Sequence, residues 1–325
     1  MNSSSLGFLN VSIVGRNRDP FSTAVAKNVI VVALGLIINY INGTLIHTFR
    51  KHQIFYINPR YILFIHLVVN NMIQLTSTIS LFVFSYVFYK INVSLCCFII
   101  LCSVFTTLNT PINLAVMAVE CFIAICLPLR HAELCTIQRI YILIGWMWTL
   151  SAVVTMPDVF IILATEPIEL FYSTIVCSKD NLFRHPVILE KRDVSYIIYL
   201  IFVWLTLLFT YFKIFLAAKS AKAAKSGNGD AKKARNTILL HGFQLLLCML
   251  TYVSHTINKA LYNWFPQHFT HALFMSYIIV QIFPRFVSPI VYGLRDTTFR
   301  QHLKKYQMCS VTKSKHQTMA CGEDY

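Results

Sequence analysis

Long apolar stretches alternate with short polar segments along the chain. A helix that crosses a bilayer needs about 20 consecutive, mostly apolar residues. The stretches that reach this length are called spans one to seven in chain order, and they are Thr23–Phe49, Tyr61–Tyr89, Val93–Leu127, Ile140–Ala164, Val194–Ala218, Thr237–Leu261 and His268–Leu294. The pattern therefore predicts an all-α membrane protein, built as a seven-transmembrane helix bundle.

The composition agrees with a membrane protein. Of the 325 residues, 56% are hydrophobic and only 13% are charged, whereas a soluble domain carries about 25% charged residues. No Cys or His spacing resembles paired CxxC or HExxH metal sites, so we expect no metal, no cofactor and no enzyme activity. Residues 1–22 lack the apolar core of a cleavable signal peptide, and span one is expected to serve as its own insertion signal.

The distribution of basic residues predicts the orientation in the membrane. If the N-terminus lies outside, the cytoplasmic segments hold about twice as many Lys and Arg residues as the outside segments, as the positive-inside rule requires. The division is then an extracellular N-terminus (1–22), a seven-transmembrane domain (23–294) and a cytoplasmic helix and tail (295–325). The net charge of +15 favours contact with the anionic inner leaflet of the bilayer rather than with nucleic acid.

Glycosylation sequons support this orientation. Asn2, Asn10 and Asn92 each begin an Asn-X-Ser sequence and fall on the predicted outer side, where N-glycans are added. A fourth sequon begins at Asn42, but it lies inside span one and should stay unmodified. The sequence therefore predicts a glycoprotein with three outer acceptor sites.

Several motifs resemble those of vertebrate odorant receptors of the rhodopsin-like G-protein-coupled receptor family. The stretch MAVECFIAICLPLRHAELCT resembles that family's MAYDRYVAICxPLRY signature, and PRFVSPIVYGLRD resembles its PxxNPxxYxLRN. Lys233 and Ala234, followed by His241, match the KAxxTCxSHL run that opens span six, and Asn58–Tyr61 stands where the family has TPMYF. Departures from the mammalian consensus, with a short, cysteine-poor outer loop, look most like the fish members.

The resemblance implies a function and a location. A receptor of this kind binds a small-molecule odorant and activates a heterotrimeric G protein on the cytoplasmic face. It lies in the plasma membrane, and in this family that is the membrane of olfactory sensory neuron cilia. After span seven, the amphipathic run RDTTFRQHLKKY predicts a short helix on the inner leaflet, and Cys309 behind it is a candidate for palmitoylation.

Three cysteines lie where a disulfide bond is chemically possible. Cys96 and Cys97 stand at the outer mouth of span three, and Cys177 lies in the loop between spans four and five. The outside is oxidising, so a bridge between span and loop is allowed. The spacing from Cys96 to Cys121 matches the family's disulfide cysteine, so the resemblance implies the bridge Cys96–Cys177, with Cys97 as the alternative.

The inner end of span three departs from the family at one residue. The family has Asp-Arg-Tyr where this chain has Glu120, Cys121 and Phe122. The family's arginine pairs with the acid at rest and reaches the G protein when active, and cysteine is too short and neutral to do either. Glu120 therefore needs another cation, and the candidates are Arg130, Arg139 or a basic residue below span six; the alternatives are water or a proton. We expect preserved folding with weak or altered coupling.

Polar and helix-bending residues predict a second switch in span seven. Pro289 and Tyr292 match the family's NPxxY, with Ser288 in place of its asparagine. A proline bends the helix by freeing a carbonyl, so the tyrosine below it can move between two poses. Asn42 and Asn71 are polar groups at mid-membrane depth, expected to face the bundle interior. Asn71 replaces the family's sodium-site aspartate, which makes sodium control doubtful.

Ligand contacts are expected in the outer half of the bundle. The polar and aromatic residues that the motif spacing places there, among spans three, five, six and seven, are Ser103, Thr106, Thr107, Ser195, Tyr199, Tyr252, His255 and Gln281. Such pockets are mostly apolar with a few convergent polar groups, and helix packing is the competing interpretation for each residue. Glu166, Glu169 and Asp180 make the loop above acidic, which favours cationic or amine-bearing ligands.

Two other classes of protein compete with a receptor. A transporter or channel predicts internal repeats, broken helices or several intramembrane charges. No repeat is visible, and Glu120 and Arg285 are the charges that the pattern places well within spans. A membrane enzyme would need a cluster of His, Cys or acidic residues that the sequence does not suggest. A receptor-like protein with impaired G-protein coupling is the stronger alternative, because of Cys121.

Overall fold

The structure is a computed structural model. It describes residues 20–88, 90–183, 186–223 and 263–295, with residue 301 and scattered positions between 243 and 261, and for residues 290–295 it describes the backbone alone. The predicted residues Asn2, Asn10, Tyr252, His255 and Cys309, the helix after span seven and the side chain of Tyr292 lie outside the described part.

The described chain is almost entirely helical. Its helices are α1 (Phe21–Lys51), α2 (Pro59–Val87), α3 (Val93–Cys126), α4 (Pro128–Leu134), α5 (Ile137–Thr165), α6 (Ile168–Tyr172), α7 (Lys179–Leu182), α8 (Pro186–Ala223), α9 (Phe269–Tyr277) and α10 (Phe283–Arg295). Short 3-10 turns lie at Gln53–Phe55 and Pro266–His268, and a π-helical turn at Ile278–Ile282 joins α9 to α10.

Six of the described helical stretches are long and apolar enough to cross a membrane. They correspond to spans one to five and to span seven, and they confirm those predictions. In the region of span six, every position that the structure describes from 243 to 264 is helical. The chain is thus the predicted seven-transmembrane helix bundle.

The helix of span five begins earlier than its apolar pattern indicates. Span five was placed from Val194, but α8 already begins at Pro186. The charged run from Glu190 to Asp193 ends the apolar stretch without ending the helix, because a helix can continue beyond the hydrocarbon into the aqueous layer. This extension brings Lys191 of α8 to the outer mouth of the bundle.

The loop between spans four and five folds over the outer end of span three. Strand β2 (Thr174–Ile175) pairs antiparallel with β1 (Ile91–Asn92), with Ile91 opposite Ile175. Cys96 and Cys177 are joined by a disulfide bond with 5.7 Å between their Cα atoms. The predicted bridge is therefore confirmed, and the alternative partner, Cys97, is a thiol. Strand pairing and bridge together fix the loop against α3.

Helix α3 is the centre of the bundle. It packs against α2, α5 and α8, and its residues Leu114, Met117 and Ala118 belong to the largest buried apolar cluster. The outward sides of the helices carry exposed large apolar groups such as Trp146 and Phe202, which suits contact with lipid. Since lipid is as apolar as these side chains, packing and interhelical hydrogen bonds hold such a bundle together.

Buried polar side chains supply those hydrogen bonds. The Asn70 amide donates to the carbonyl of Thr106 and to the Thr110 hydroxyl, both at 2.8 Å, and joins α2 to α3. Trp148 Nε1 of α5 donates to His66 Nε2 at 3.0 Å. The other nitrogen of that ring, Nδ1, lies 2.7 Å from Asn113 Nδ2. A polar chain therefore links spans four, two and three.

Candidate functional site

Glu120 lies in an ion pair at the cytoplasmic end of α3. The residue is only 4% exposed, and its carboxylate has two partners. Arg60 Nε of α2 donates to Oε2 at 3.1 Å, and His131 Nε2 of α4 lies 3.2 Å from Oε1. Three helices therefore converge on one buried carboxylate.

Local sequence sets the position of Arg60. Asn58 caps α2, because its side chain accepts a hydrogen bond from the backbone N–H of Arg60 at 3.1 Å. Pro59 occupies the first helical position, where its missing N–H costs nothing. The helix therefore begins at a defined residue, and the first turn points the guanidinium at α3.

The expectation that Arg130 or Arg139 pairs with Glu120 is wrong, and the third candidate, a basic residue below span six, lies outside the described residues. Arg130 is exposed, and Arg139 Nη1 donates to the carbonyl of Glu133 at 2.9 Å. The short helix α4 turns His131, the next residue along, toward the carboxylate instead. One feature of the sequence indicates Arg60 as the partner. The family has the neutral segment TPMYF at this place, whereas this chain has a basic residue there, Arg60.

An apolar contact occupies the position where the family has arginine. Cys121 is 3% exposed and lies in a cluster with Ile214 of α8. Next to it, the Phe122 ring lies 6.2 Å from that of Phe209, edge to face. The inner end of span three is thus fastened to span two by charge and to span five by apolar packing.

The pKa of a second cysteine in this region, Cys135, depends on the charges around it. Burial raises the pKa of the Cys135 thiol, and the Glu120 carboxylate raises that pKa further, while Arg139 lowers it in part. Cys135 lies between α4 and α5, outside the membrane-spanning segments. Its thiol therefore senses whether Glu120 is charged.

At the other end of α3, a small cleft opens toward the outside. Spans three, four and five and the outer loop form its walls, and the lining residues are Val104, Leu108, Val154, Thr155, Asp158, Lys179, Phe183, Ile188, Lys191, Ser195 and Tyr196. Its volume is about 20 Å³, which is enough for one water molecule. A larger ligand would need the loop to move.

The structure brings one of the predicted ligand residues to this cleft, Ser195. The hydroxyls of Thr106 and Thr107 both donate to the carbonyl of Ser103, at 3.1 and 2.7 Å, within α3. The Tyr199 hydroxyl donates to the carbonyl of Leu108. Their role as ligand contacts stays a prediction.

The described part of span seven contains an irregular helix. Gln281, the remaining predicted ligand residue, lies in the π-helical turn, and Arg285 Nη1 donates back to the carbonyl of Val280 at 2.8 Å. Ser288 accepts from the Asn71 amide at 3.0 Å, one residue before the buried Pro289. The polar pair joins spans two and seven beside the proline, and the switch role of Pro289 and Tyr292 stays a prediction.

Two charged groups inside spans are findings that the apolar pattern hid. Lys27 of α1 is buried, donates to the carbonyl of Thr270 at 3.3 Å and lies 5.5 Å from the Phe274 ring centre. Asp158 of α5 accepts from Lys191 at 2.5 Å. A hydropathy average over a window of residues hides a single charged residue among apolar ones. The charge itself, read at its own position in the sequence, is the signal that reveals it.

Asn92 combines a cap with a glycosylation sequon. Its side chain accepts from the backbone N–H of Ser94 at 2.9 Å and so caps α3. Asn92 is exposed, so the sequon is accessible in the fold. Modification itself stays a prediction.

The fold and motifs agree with comparisons to known proteins. Residues 41–292 match the family described as 7 transmembrane receptor (rhodopsin family). The chain is 32% identical over 314 residues to odorant receptor 131-2 of Danio rerio, covering 96% of this chain and 93% of that protein. It is 24% identical over 207 residues to olfactory receptor 52A1 of Homo sapiens, covering 61% and 63% of the two chains. The chain belongs to the rhodopsin family of seven-transmembrane receptors and, within it, to the odorant receptors; it is a receptor and not an enzyme.

Proposed function

We propose that this receptor binds a small odorant at its outer end and activates a heterotrimeric G protein at its inner end. The observation that carries the proposal is the course of α3. The same helix lines the outer cleft with Val104 and Leu108 and holds Glu120 at the cytoplasmic surface. A ligand that shifts α3 therefore acts directly on the ion pair.

The resting state is held by Arg60 and Glu120. The pair fastens α3 to α2, and His131 adds a contact from α4. The Arg60 side chain is 39% exposed, so solvent screens the ion pair. The pair therefore contributes about 1 kcal/mol to stability. A restraint of this size can be overcome by the differential binding energy of a small ligand.

A second candidate function is a receptor that binds ligand with impaired coupling. The packing of Cys121 against Ile214 favours it, because no cation at this position can reach a G protein. The two functions share fold and ligand site. They differ in the output that ligand binding produces.

The experiment expresses the full chain in cells that carry an olfactory G protein, with surface display confirmed, and measures cAMP during an odorant panel. A response from the unmodified chain supports full coupling. A weak or absent response that Cys121→Arg restores supports the second candidate. Cys121→Ser is the matched control, since it keeps a small neutral side chain, and it should behave like the parent chain.

The orientation proposed for this function places residues 1–22 outside and residues 295–325 in the cytoplasm. The plasma membrane, in the cilia of olfactory sensory neurons, is the proposed location. Outer glycans at Asn2, Asn10 and Asn92 and a lipid on Cys309 follow from this orientation. Antibody access to epitope tags at the two ends of intact cells tests it.

A further inference from the structure

The described lining of the outer cleft carries a net positive charge. Its described lining includes two lysines, Lys179 and Lys191, and one acid, Asp158. The acid is already engaged, because Lys191 donates to Asp158 at 2.5 Å and to the carbonyl of Val154 at 2.8 Å. One ammonium group in the lining is therefore left without a carboxylate among the described cleft residues.

That group is Lys179 of α7. It donates to the Tyr196 hydroxyl at 2.7 Å and lies 4.9 Å from the centre of the same ring. An ammonium has three N–H donors, so this contact leaves two for another acceptor. A phenol satisfies one hydrogen bond without supplying a negative charge, and an anionic oxygen would form the stronger charge-assisted bond.

Part of the cleft lining is apolar. Val104 and Leu108 of α3, Phe183 of the loop and Ile188 of α8 line it. A cationic group in a partly apolar lining suits a molecule with an anionic head and an apolar body, because ligand sites orient mostly apolar ligands by a few polar groups. Of the acidic loop residues, Glu166 and Glu169 are exposed and are not among the residues that line the cleft, and the side chain of Asp180 lies outside the described part.

We propose that this cleft is the ligand site of the receptor for small carboxylates, with Lys179 bound to the carboxylate and the hydrocarbon chain lying along Leu108 and Ile188. Amine-bearing ligands, expected from loop composition, are the competing assignment. Carboxylate binding at this cleft does not depend on the proposed function. Only the statement that the carboxylate is the agonist rests on it.

Loop movement would admit the ligand. The cavity of about 20 Å³ holds a single water molecule, so Lys179 must turn away from Tyr196 to make room. The loop is tethered two residues earlier by the Cys96–Cys177 bridge. The bridge therefore limits how far Lys179 moves from the cleft when the loop shifts.

The test measures binding on the purified full-length receptor by the ligand-induced shift of its thermal unfolding. The probes are straight-chain carboxylates and the amines, alcohols and methyl esters of the same chain length. We expect stabilisation by carboxylates. Lys179→Gln should weaken their binding about tenfold or more, the size expected for a lost charged hydrogen bond, and Lys179→Arg should retain it. Lys219→Gln, an exposed lysine at the cytoplasmic end of α8, is the matched control and should bind as the parent does.

A second variant, Asp158→Asn, should affect carboxylate and amine binding in opposite directions. Asp158→Asn removes the acid of the cleft, so carboxylates should bind at least as well as to the parent, whereas an amine ligand would lose its partner. Stabilisation by amines that Asp158→Asn abolishes overturns the proposal, as does carboxylate binding undiminished in Lys179→Gln. The cAMP assay separates the two proposals: carboxylate binding without cAMP contradicts coupling alone, and cAMP evoked only by ligands of another class contradicts the carboxylate assignment alone.

Discussion

Arg60 and Glu120 are 60 residues apart in the chain, yet the guanidinium Nε and the carboxylate Oε2 lie 3.1 Å apart at the inner surface of the bundle. The pair occupies the place where the family's acid meets the arginine next to it in sequence. Here the cation comes from span two. A receptor that lost the neighbouring arginine thus still has a charge restraint on span three.

Removing this restraint should loosen the inner end of the bundle. Arg60→Gln is expected to raise basal cAMP and to lower the free energy of unfolding by about 1 kcal/mol, because Glu120 loses an ion pair that solvent screens at the arginine end and keeps His131 beside it. A double-mutant cycle with Glu120→Gln should give a coupling energy of about 0.5–1 kcal/mol. Arg130→Gln is the control, since Arg130 is exposed and should change stability by less than about 0.5 kcal/mol. A coupling energy of zero would contradict the restraint.

The two neighbouring cysteines of span three should behave differently when replaced. Cys96→Ser breaks the bridge to Cys177, a link of sequence separation 81, and should cost about 2–5 kcal/mol of stability and much of the surface expression. Cys97→Ser removes only a partly buried thiol and should be close to neutral. Thermal unfolding with and without reductant measures both. Equal loss in the two variants would count against the bridge.

The contact between Asn71 and Ser288 should hold spans two and seven together. Asn71→Ala removes the donor of a 3.0 Å hydrogen bond and should destabilise the receptor by about 0.6–1.7 kcal/mol, which runs from the average to the largest value found for interhelical bonds in membranes. If the bond is the cause, Ser288→Ala added to Asn71→Ala should cost little more than the single change. Fully additive losses would argue that each residue acts by other contacts. Thermal unfolding of the detergent-solubilised receptor measures the stability of each variant.

Labelling of Cys135 should depend on the charge of Glu120. Burial and the Glu120 carboxylate raise the pKa of this thiol, and the thiolate is the reactive form. Its maleimide labelling should therefore rise at a higher pH than that of an unperturbed thiol. Glu120→Gln lowers the pKa and should shift the pH–rate curve to lower pH, whereas Arg139→Gln should shift it to higher pH. Subtracting the signal of Cys135→Ser isolates this residue, and coincident curves for all variants would refute the electrostatic cause.

Outer glycans should be detectable on the receptor. Asn92 is exposed, and Asn2 and Asn10 belong to the predicted outer segment, so treatment with an N-glycosidase should lower the apparent mass. Each single Asn→Gln change should remove one step of that shift, while Asn42→Gln should remove none, because Asn42 is buried in α1. An unchanged shift for all three outer variants would contradict the proposed orientation.

The span predictions succeeded because their signal is local. Apolar runs of sufficient length report directly on a bilayer of fixed thickness, and Asn58-Pro59 marks a helix start by its own chemistry. The helix of span five extends beyond its apolar run because its outer turns are charged: Lys191 lies outside the apolar run yet inside α8. The bridge Cys96–Cys177 was inferred from family resemblance, since chemistry alone left Cys97 open.

The sequence by itself determined the class of protein, the number and order of spans and the family, and it predicts the direction of insertion, because apolar length, linear motifs and basic residues are properties of contiguous residues. Only the tertiary structure decided which groups meet. Arg60 rather than Arg130 holds Glu120, Asp158 meets Lys191, and Lys179 faces the outer cleft. These contacts join residues from different helices, and the rotation and packing of each helix against its neighbours, which no single stretch encodes, set their distances.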